Sequence, residues 1–166
     1  MSFVVTLGLD ECTFALLDAL RREHFPPARN FLPAHLTLFH QLPEDPAAAV
    51  EGTLAAAARG TASFPLVVGP PRPLGRGVAL AVQAEALHAL HRRLAEAFRP
   101  WLTRQDAQGF RPHVTVQNKA DPASARASFE RLRAEWSPHP GRGEALLLWR
   151  YLGGPWERVA EHRFGA

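Results

Sequence analysis

The chain has 166 residues, of which 46% are hydrophobic and 21% charged, and its formal net charge is +3. These values are ordinary for a soluble globular protein with a hydrophobic core. The charge is too small to predict nucleic-acid binding by itself, and no apolar run approaches the ~18 residues of a membrane-spanning helix.

Eighteen of the 19 basic residues are arginine, and Lys119 is the only lysine. Arginine suits phosphate ligands, but a GC-rich genome produces the same bias, so both explanations stay open. Cys12 is the only cysteine, which excludes an internal disulfide and favours a reducing compartment. The N-terminus lacks the basic start of a signal peptide. We therefore expect a soluble cytoplasmic protein that does not bind membranes.

The first half of the sequence predicts the order strand, helix, strand, helix, strand. In the first helix, Asp10 is a candidate N-cap, and Phe14, Leu17 and Leu20 fall on one face. The five elements are a strand at 3–9, a helix at 10–25, a strand at 35–42, a helix at 45–60 and a strand at 64–69.

The second half predicts the same order and adds one terminal strand. The segment 69–77 between the halves is rich in turn-forming residues and indicates a hairpin or linker. The elements are a strand at 77–83, a helix at 84–98, a strand at 113–118, a helix at 121–136, a strand at 144–152 and an antiparallel strand at 156–164.

Two sequence signals recur at nearly the same offset. The His-x-Thr units that start at His35 and His113 are 78 residues apart, and the Asp-Pro pairs at Asp45 and Asp121 are 76 residues apart. Both Asp-Pro pairs are typical of a helix start, and the period is too long for a solenoid. We predict one domain over residues 1–166 with pseudo-repeat halves of about 1–70 and 77–155.

The two repeated stretches are "PAHLTLFH" and "RPHVTVQN". Residues i and i+2 of a strand point to the same face, so His35 and Thr37 share one face, as do His113 and Thr115. If the two halves are related by a pseudo-two-fold axis, the cleft between them holds two imidazoles and two hydroxyls.

This set of side chains matches phosphate chemistry. In-line displacement at phosphorus needs a base on one side and an acid on the other, and two histidines with ordinary pKa values near ~6.5 can supply both. Each such group typically contributes a rate factor of about 10²–10⁴. Hydroxyl groups can donate hydrogen bonds to the oxygens on which charge develops, and no metal or other cofactor is needed.

The paired "HLTL" and "HVTV" resemble the signature of the 2H phosphoesterase superfamily, which includes 2′-5′ RNA ligase-like proteins and cyclic phosphodiesterases. The resemblance implies a bilobed α+β fold, with two antiparallel sheets lining a central cleft and helices outside. It also implies metal-independent opening of cyclic phosphates, either 2′,3′-cyclic RNA ends or small cyclic nucleotides. The reverse reaction is 2′-5′ ligation.

The same resemblance implies roles for the four motif residues. His113 would be the general base and His35 the general acid, an assignment that could reverse with the substrate. Thr37 and Thr115 would hold the phosphate.

Four further residues are candidates for substrate binding. Arg111 and Lys119 lie at the ends of the second motif strand and can reach a phosphate, or they are solvated charges. Phe39 can stack on a base or pack in the core, and Tyr151 lies on a late strand that can border the cleft.

The sequence leaves two other functions open. One is an RNA-end or nucleotide-binding module with little catalysis. The other is a metal site at His88 and His91, for which the sequence offers no third ligand. We expect a monomer with no protein partner.

Overall fold

The computed structural model describes residues 1–165, so Ala166 of the predicted domain lies outside the described residues. The predicted order of elements is confirmed. The strands are β1 (Ser2–Leu9), β2 (Thr37–Pro43), β3 (Phe64–Pro73), β4 (Val78–Gln83), β5 (His113–Gln117), β6 (His139–Tyr151) and β7 (Trp156–Arg163). The helices are α1 (Glu11–His24), α2 (Ala47–Arg59), α3 (Glu85–Ala97) and α4 (Pro122–Glu135). Within residues 1–165, no helix is long and apolar enough to cross a membrane.

Two of the three predicted helix caps are present. The carboxylates of Asp10 and Asp121 accept hydrogen bonds from the backbone N–H three residues later, at 3.1 Å in α1 and 2.9 Å in α4. These bonds satisfy N–H groups that have no partner within the helix. The prediction for Asp45 is wrong, because the residue at the N-cap of α2 is Pro46, which has no side-chain acceptor.

All strand pairs are antiparallel and belong to one sheet with the order β2-β1-β6-β3-β4-β5, and β7 also pairs with β6. Strand β6 connects the two parts of this sheet. Its residues 139–143 pair with β3, 143–150 with β1 and 145–151 with β7. The predicted α+β class is thus confirmed, whereas two separate sheets are not, because the pairing continues through β6.

Strands and helices cross between the predicted halves. Strand β3 of the first half pairs with β4 and β6 of the second, and β6 pairs with β1. Helix α1 lies against β5, and α2 lies against β7. The internal duplication stays a prediction, and the two halves of the sequence do not form separate structural units.

The hydrophobic core follows from this topology. Strand β1 has neighbours on both edges, and its residues 3–8 are all buried. Burial of apolar surface is the main stabilising term, at about 25 cal/mol per Å². The largest fully buried side chains are Phe3, Phe39, Phe98, Leu17, Leu36, Leu42, Leu54, Leu80, Leu87, Leu90, Leu94 and Leu146.

The hairpin between β3 and β4 presses against the end of β5. The hairpin closes with a hydrogen bond from Leu74 N to Gly77 O at 2.8 Å. A Cβ atom at Gly77 would lie 1.8 Å from the carbonyl oxygen of Gln117, the last residue of β5. Glycine is therefore required for this close approach, which helps to position the strand that carries His113 and Thr115.

We predict that Gly77→Ala lowers the free energy of unfolding by about 1–3 kcal/mol, because backbone must move to admit the methyl group. Gly52→Ala is the control, since no atom lies within 4 Å of a Cβ atom at that position of α2. It should raise stability by about 0.8–1 kcal/mol through helix propensity. Urea unfolding gives the change in the free energy of unfolding for each variant. Equal changes in Gly77→Ala and Gly52→Ala would contradict the close-packing argument.

Candidate active site

The two His-x-Thr units come from opposite edges of the sheet, where β2 forms one edge and β5 the other. Thr37 and His113 line one cavity of about 180 Å³. His35 and Thr115 line a second cavity of about 430 Å³. Each histidine therefore shares a cavity with the threonine of the other unit. The prediction that His35 and Thr37 share one strand face is wrong, because β2 begins only at Thr37 and the two residues line different cavities.

The two histidines are held in the same way by the backbone. His35 Nδ1 lies 2.9 Å from the carbonyl oxygen of Pro33, and His113 Nδ1 lies 2.8 Å from the carbonyl oxygen of Arg111. A carbonyl oxygen can only accept, so Nδ1 carries the hydrogen in both rings. The remaining nitrogen, Nε2, is therefore the atom that can exchange a proton with a ligand.

Burial lowers the pKa of both histidines. For His35 it lowers the pKa to about 4, and the charges of Arg21 and His113 act in the same direction. For His113 burial is again the main cause, and the charge of Arg72 adds to it. Both rings are consequently neutral at neutral pH in the free protein.

Phe39, a candidate for stacking on a base, lies in the core. Strand β2 has an extra residue, Leu38, relative to the paired positions of β1, so the alternation of faces is interrupted after Thr37. Phe39 is fully buried, and its ring packs 5.4 Å from Phe98 and 4.8 Å from His91 between centroids. The core-packing alternative therefore describes this residue, which does not reach the cleft.

A second register shift of β2 against β1 places His40 in the smaller cavity, beside Thr37 and His113. The buried carboxylate of Asp106 accepts hydrogen bonds from His40 N and Gln41 N and from His40 Nδ1, the last at 2.9 Å. Burial raises the pKa of Asp106, but these hydrogen bonds outweigh it and the net shift is downward. No local pattern predicts this pair, because the two residues are 66 positions apart.

Two arginines lie close to His113. Arg111, predicted from sequence, lines the smaller cavity. Arg72 lies on β3 opposite Ala79, which in turn pairs with Thr115 on β5. Burial lowers the pKa of Arg72, and the nearby charge of Arg111 lowers it further. An anionic ligand beside these two arginines would relieve their mutual repulsion.

The larger cavity also has a basic lining. Lys119 and Tyr151, both predicted, line it together with Arg29. Arg21 at its base is almost fully buried and donates to the carbonyl oxygen of Thr115 at 2.8 Å and to the Asn30 side chain. Arg21 thus fixes the backbone of β5 next to the catalytic candidates and adds positive potential there.

Aromatic rings lie beside His35 in the larger cavity. The Trp156 ring is 4.7 Å from the His35 ring, at an angle of 56°. Tyr151 and Phe31 line the same cavity with 43% and 63% of their surface exposed. Exposed rings beside basic groups are typical of sites that bind nucleotides. Sequence patterns did not indicate Trp156 or Phe31.

The possible metal pair on α3 has a different setting. The His91 ring stacks at 3.9 Å on Phe110 and lies against Phe39 on its other side, whereas His88 contacts the edge of Phe110. Within residues 1–165, no group of three His, Cys, Asp or Glu side chains is placed to hold a metal ion.

Comparisons with known proteins identify the family and the fold of this chain. The family model of the 2′-5′ RNA ligase superfamily matches residues 10–155. Three similar structures are TT0787 from Thermus thermophilus (18% identity, TM-score 0.72), a phosphoesterase (17%, 0.67) and E. coli LigT complexed with 3′-AMP (17%, 0.64). Each comparison covers 99% of this chain and 98% of the other.

No curated protein matches this sequence, and the structural likenesses show the fold. The family match shows more than the fold, because the matched region contains both His-x-Thr units and most of the chain. The resemblance to the 2H phosphoesterases is thus confirmed, and this protein belongs to the 2′-5′ RNA ligase superfamily.

Proposed function

We propose that this phosphoesterase-type enzyme opens 2′,3′-cyclic phosphates at RNA ends or on small nucleotides. The observation that carries the proposal is the pairing of each histidine with the threonine of the other unit in a shared cavity. Both rings bind the backbone through Nδ1 and leave Nε2 for proton transfer. The same site would catalyse 2′-5′ ligation in the reverse direction.

In the proposed hydrolysis, one imidazole takes a proton from water as the water oxygen attacks phosphorus. The bond from phosphorus to either the 2′ or the 3′ oxygen breaks, and the second imidazole gives that oxygen a proton. The product is a phosphomonoester with a free hydroxyl on the neighbouring carbon. General acid and base on opposite faces of phosphorus satisfy the geometry of in-line displacement.

The assignment of acid and base follows from the surroundings of the two rings. The sequence resemblance implies His113 as base and His35 as acid. Burial holds the pKa of His35 at about 4, so this ring is neutral over most of the pH range and ready to accept a proton. We therefore propose the reverse for hydrolysis, with His35 as general base and His113 as general acid.

The threonines and arginines complete the phosphate site of the proposal. Thr37 and Thr115 are half-buried in the two cavities, where their hydroxyls can donate to the non-bridging oxygens. A well-placed donor of this kind is typically worth about 3–4 kcal/mol in the transition state. Arg72 and Arg111 add charge beside His113.

The nucleoside would occupy the larger cavity. Its volume of about 430 Å³ lies in the range that holds small ligands. Tyr151 and Trp156 offer faces on which a base can stack, and Lys119 and Arg29 can bind a neighbouring phosphate of an RNA end. These contacts suit an RNA end or a free nucleotide.

We predict that His35→Ala and His113→Ala each lower kcat for a 2′,3′-cyclic nucleotide by about 10²–10⁴-fold, because each removes one proton transfer. Product affinity should change far less. The control is His88→Ala, because His88 on α3 lines neither of the two cavities. Unchanged turnover in both cleft variants would exclude the proposed roles, and wild-type protein that binds without turnover would favour an RNA-end-binding module.

The pH dependence should reveal the lowered pKa values. Activity needs one neutral and one protonated histidine, a combination whose population is highest between the two pKa values. Burial lowers the pKa values of His35 and His113 below the ordinary ~6.5. The maximum of kcat/KM should therefore lie at a pH below ~6.5. Above that maximum, kcat/KM should fall through neutrality as the acid loses its proton. Steady-state kinetics from about pH 4 to pH 8 test this, and a maximum above neutrality would contradict the argument.

A further inference from the structure

The cleft contains a third histidine that the proposed reaction does not use. The side chain of His40 is 46% exposed and lines the smaller cavity, whereas its partner Asp106 is 1% exposed. Asp106 also receives the backbone N–H groups of His40 and Gln41, at 2.9 Å and 3.0 Å. The carboxylate is thus held by two backbone N–H groups, and it holds the Nδ1 edge of the His40 ring in turn.

The partner of Nδ1 distinguishes His40 from the other two histidines. His35 and His113 donate to neutral carbonyl oxygens, whereas His40 donates to a carboxylate at 2.9 Å. The bond from Nδ1 to the carboxylate fixes the orientation of the ring and leaves Nε2 as the nitrogen that can meet a ligand. Within residues 1–165, His40 is the only Lys, Arg or His side chain within 4 Å of the Asp106 carboxylate. The geometry therefore suits a group that is held in place to contact a ligand.

His40 is also correctly placed to act on the reacting phosphate. It shares the smaller cavity with Thr37, His113 and Arg111. Its charge is close enough to lower the pKa of both His35 and His113. Strand β2 has two register shifts against β1, one between Thr37 and Phe39 and one between Phe39 and Leu42. His40 lies within the second, and the interrupted alternation lets it line this cavity where a regular strand would present Phe39.

We propose that His40 is a third substrate-contacting histidine, whose Nε2–H donates a hydrogen bond to a phosphate oxygen. Asp106 is its positioning residue, because it holds the ring through Nδ1. This inference rests on the proposed function and adds a binding group for the same phosphorus oxyanion. A purely structural alternative is that His40 only completes the hydrogen bonds of a buried carboxylate.

The first test is the affinity for inorganic phosphate, measured by calorimetry in wild type and His40→Gln. The loss of a charge-assisted hydrogen bond should weaken binding by about tenfold or more. The kcat/KM for a 2′,3′-cyclic nucleotide should fall at least as much. The matched control is Gln105→Ala, because Gln105 is exposed and lines the same cavity. Phosphate affinity and kcat/KM within twofold of wild type in His40→Gln would overturn the proposal.

His40→Arg separates the binding role from the structural one. An arginine can pair with Asp106 and still present a cationic donor to phosphate, so phosphate affinity should return to within about threefold of wild type. Affinity as weak as that of His40→Gln, in a variant that melts at the wild-type temperature, would overturn the proposal. The phosphate titration needs no turnover, so failure of this inference and failure of the proposed function give different results.

Discussion

The site depends on the double pairing of strand β6. One part of β6 pairs with β3 and the other with β1 and β7, so a single sheet contains strands from both halves of the sequence. The motif strands β2 and β5 lie at its two edges, and side chains from both edges line common cavities. The distance between the catalytic candidates is therefore set by the geometry of the whole sheet. The close approach of Gly77 to β5 and the bonds of Arg21 to the same strand further limit its movement.

Within this frame, the partner of Nδ1 differs among the three cleft histidines. Two rings donate to backbone carbonyl oxygens in buried surroundings, which favours the neutral form and frees Nε2 for proton transfer. The third ring, His40, donates to a buried carboxylate, which fixes its orientation beside Thr37 and His113. The proposals for proton transfer and for phosphate binding thus rest on rings that the protein holds through different acceptors at Nδ1.

Sequence patterns predicted the order of the elements, and they singled out the four motif residues as candidates. The periodicity of strands and helices is visible in short segments, and the His-x-Thr unit can be recognised because it occurs twice. What the sequence could not show depends on pairing between distant segments. The register shifts that bury Phe39 and expose His40 arise only when β2 pairs with β1, and Asp106 reaches His40 only after the loop before β5 has folded onto β2. The exchange of strands between the halves likewise has no local signal.

The most direct test of the central claim is a phosphorus NMR time course. The purified protein, in chelator at the mildly acidic pH where the account predicts the highest activity, is given a short RNA that ends in a 2′,3′-cyclic phosphate. The account predicts conversion to a single monoester isomer, and its chemical shift identifies the oxygen that leaves. A cyclic phosphate signal that persists unchanged with wild-type protein, as it should with His35→Ala, would contradict the claim that the paired histidines open this substrate.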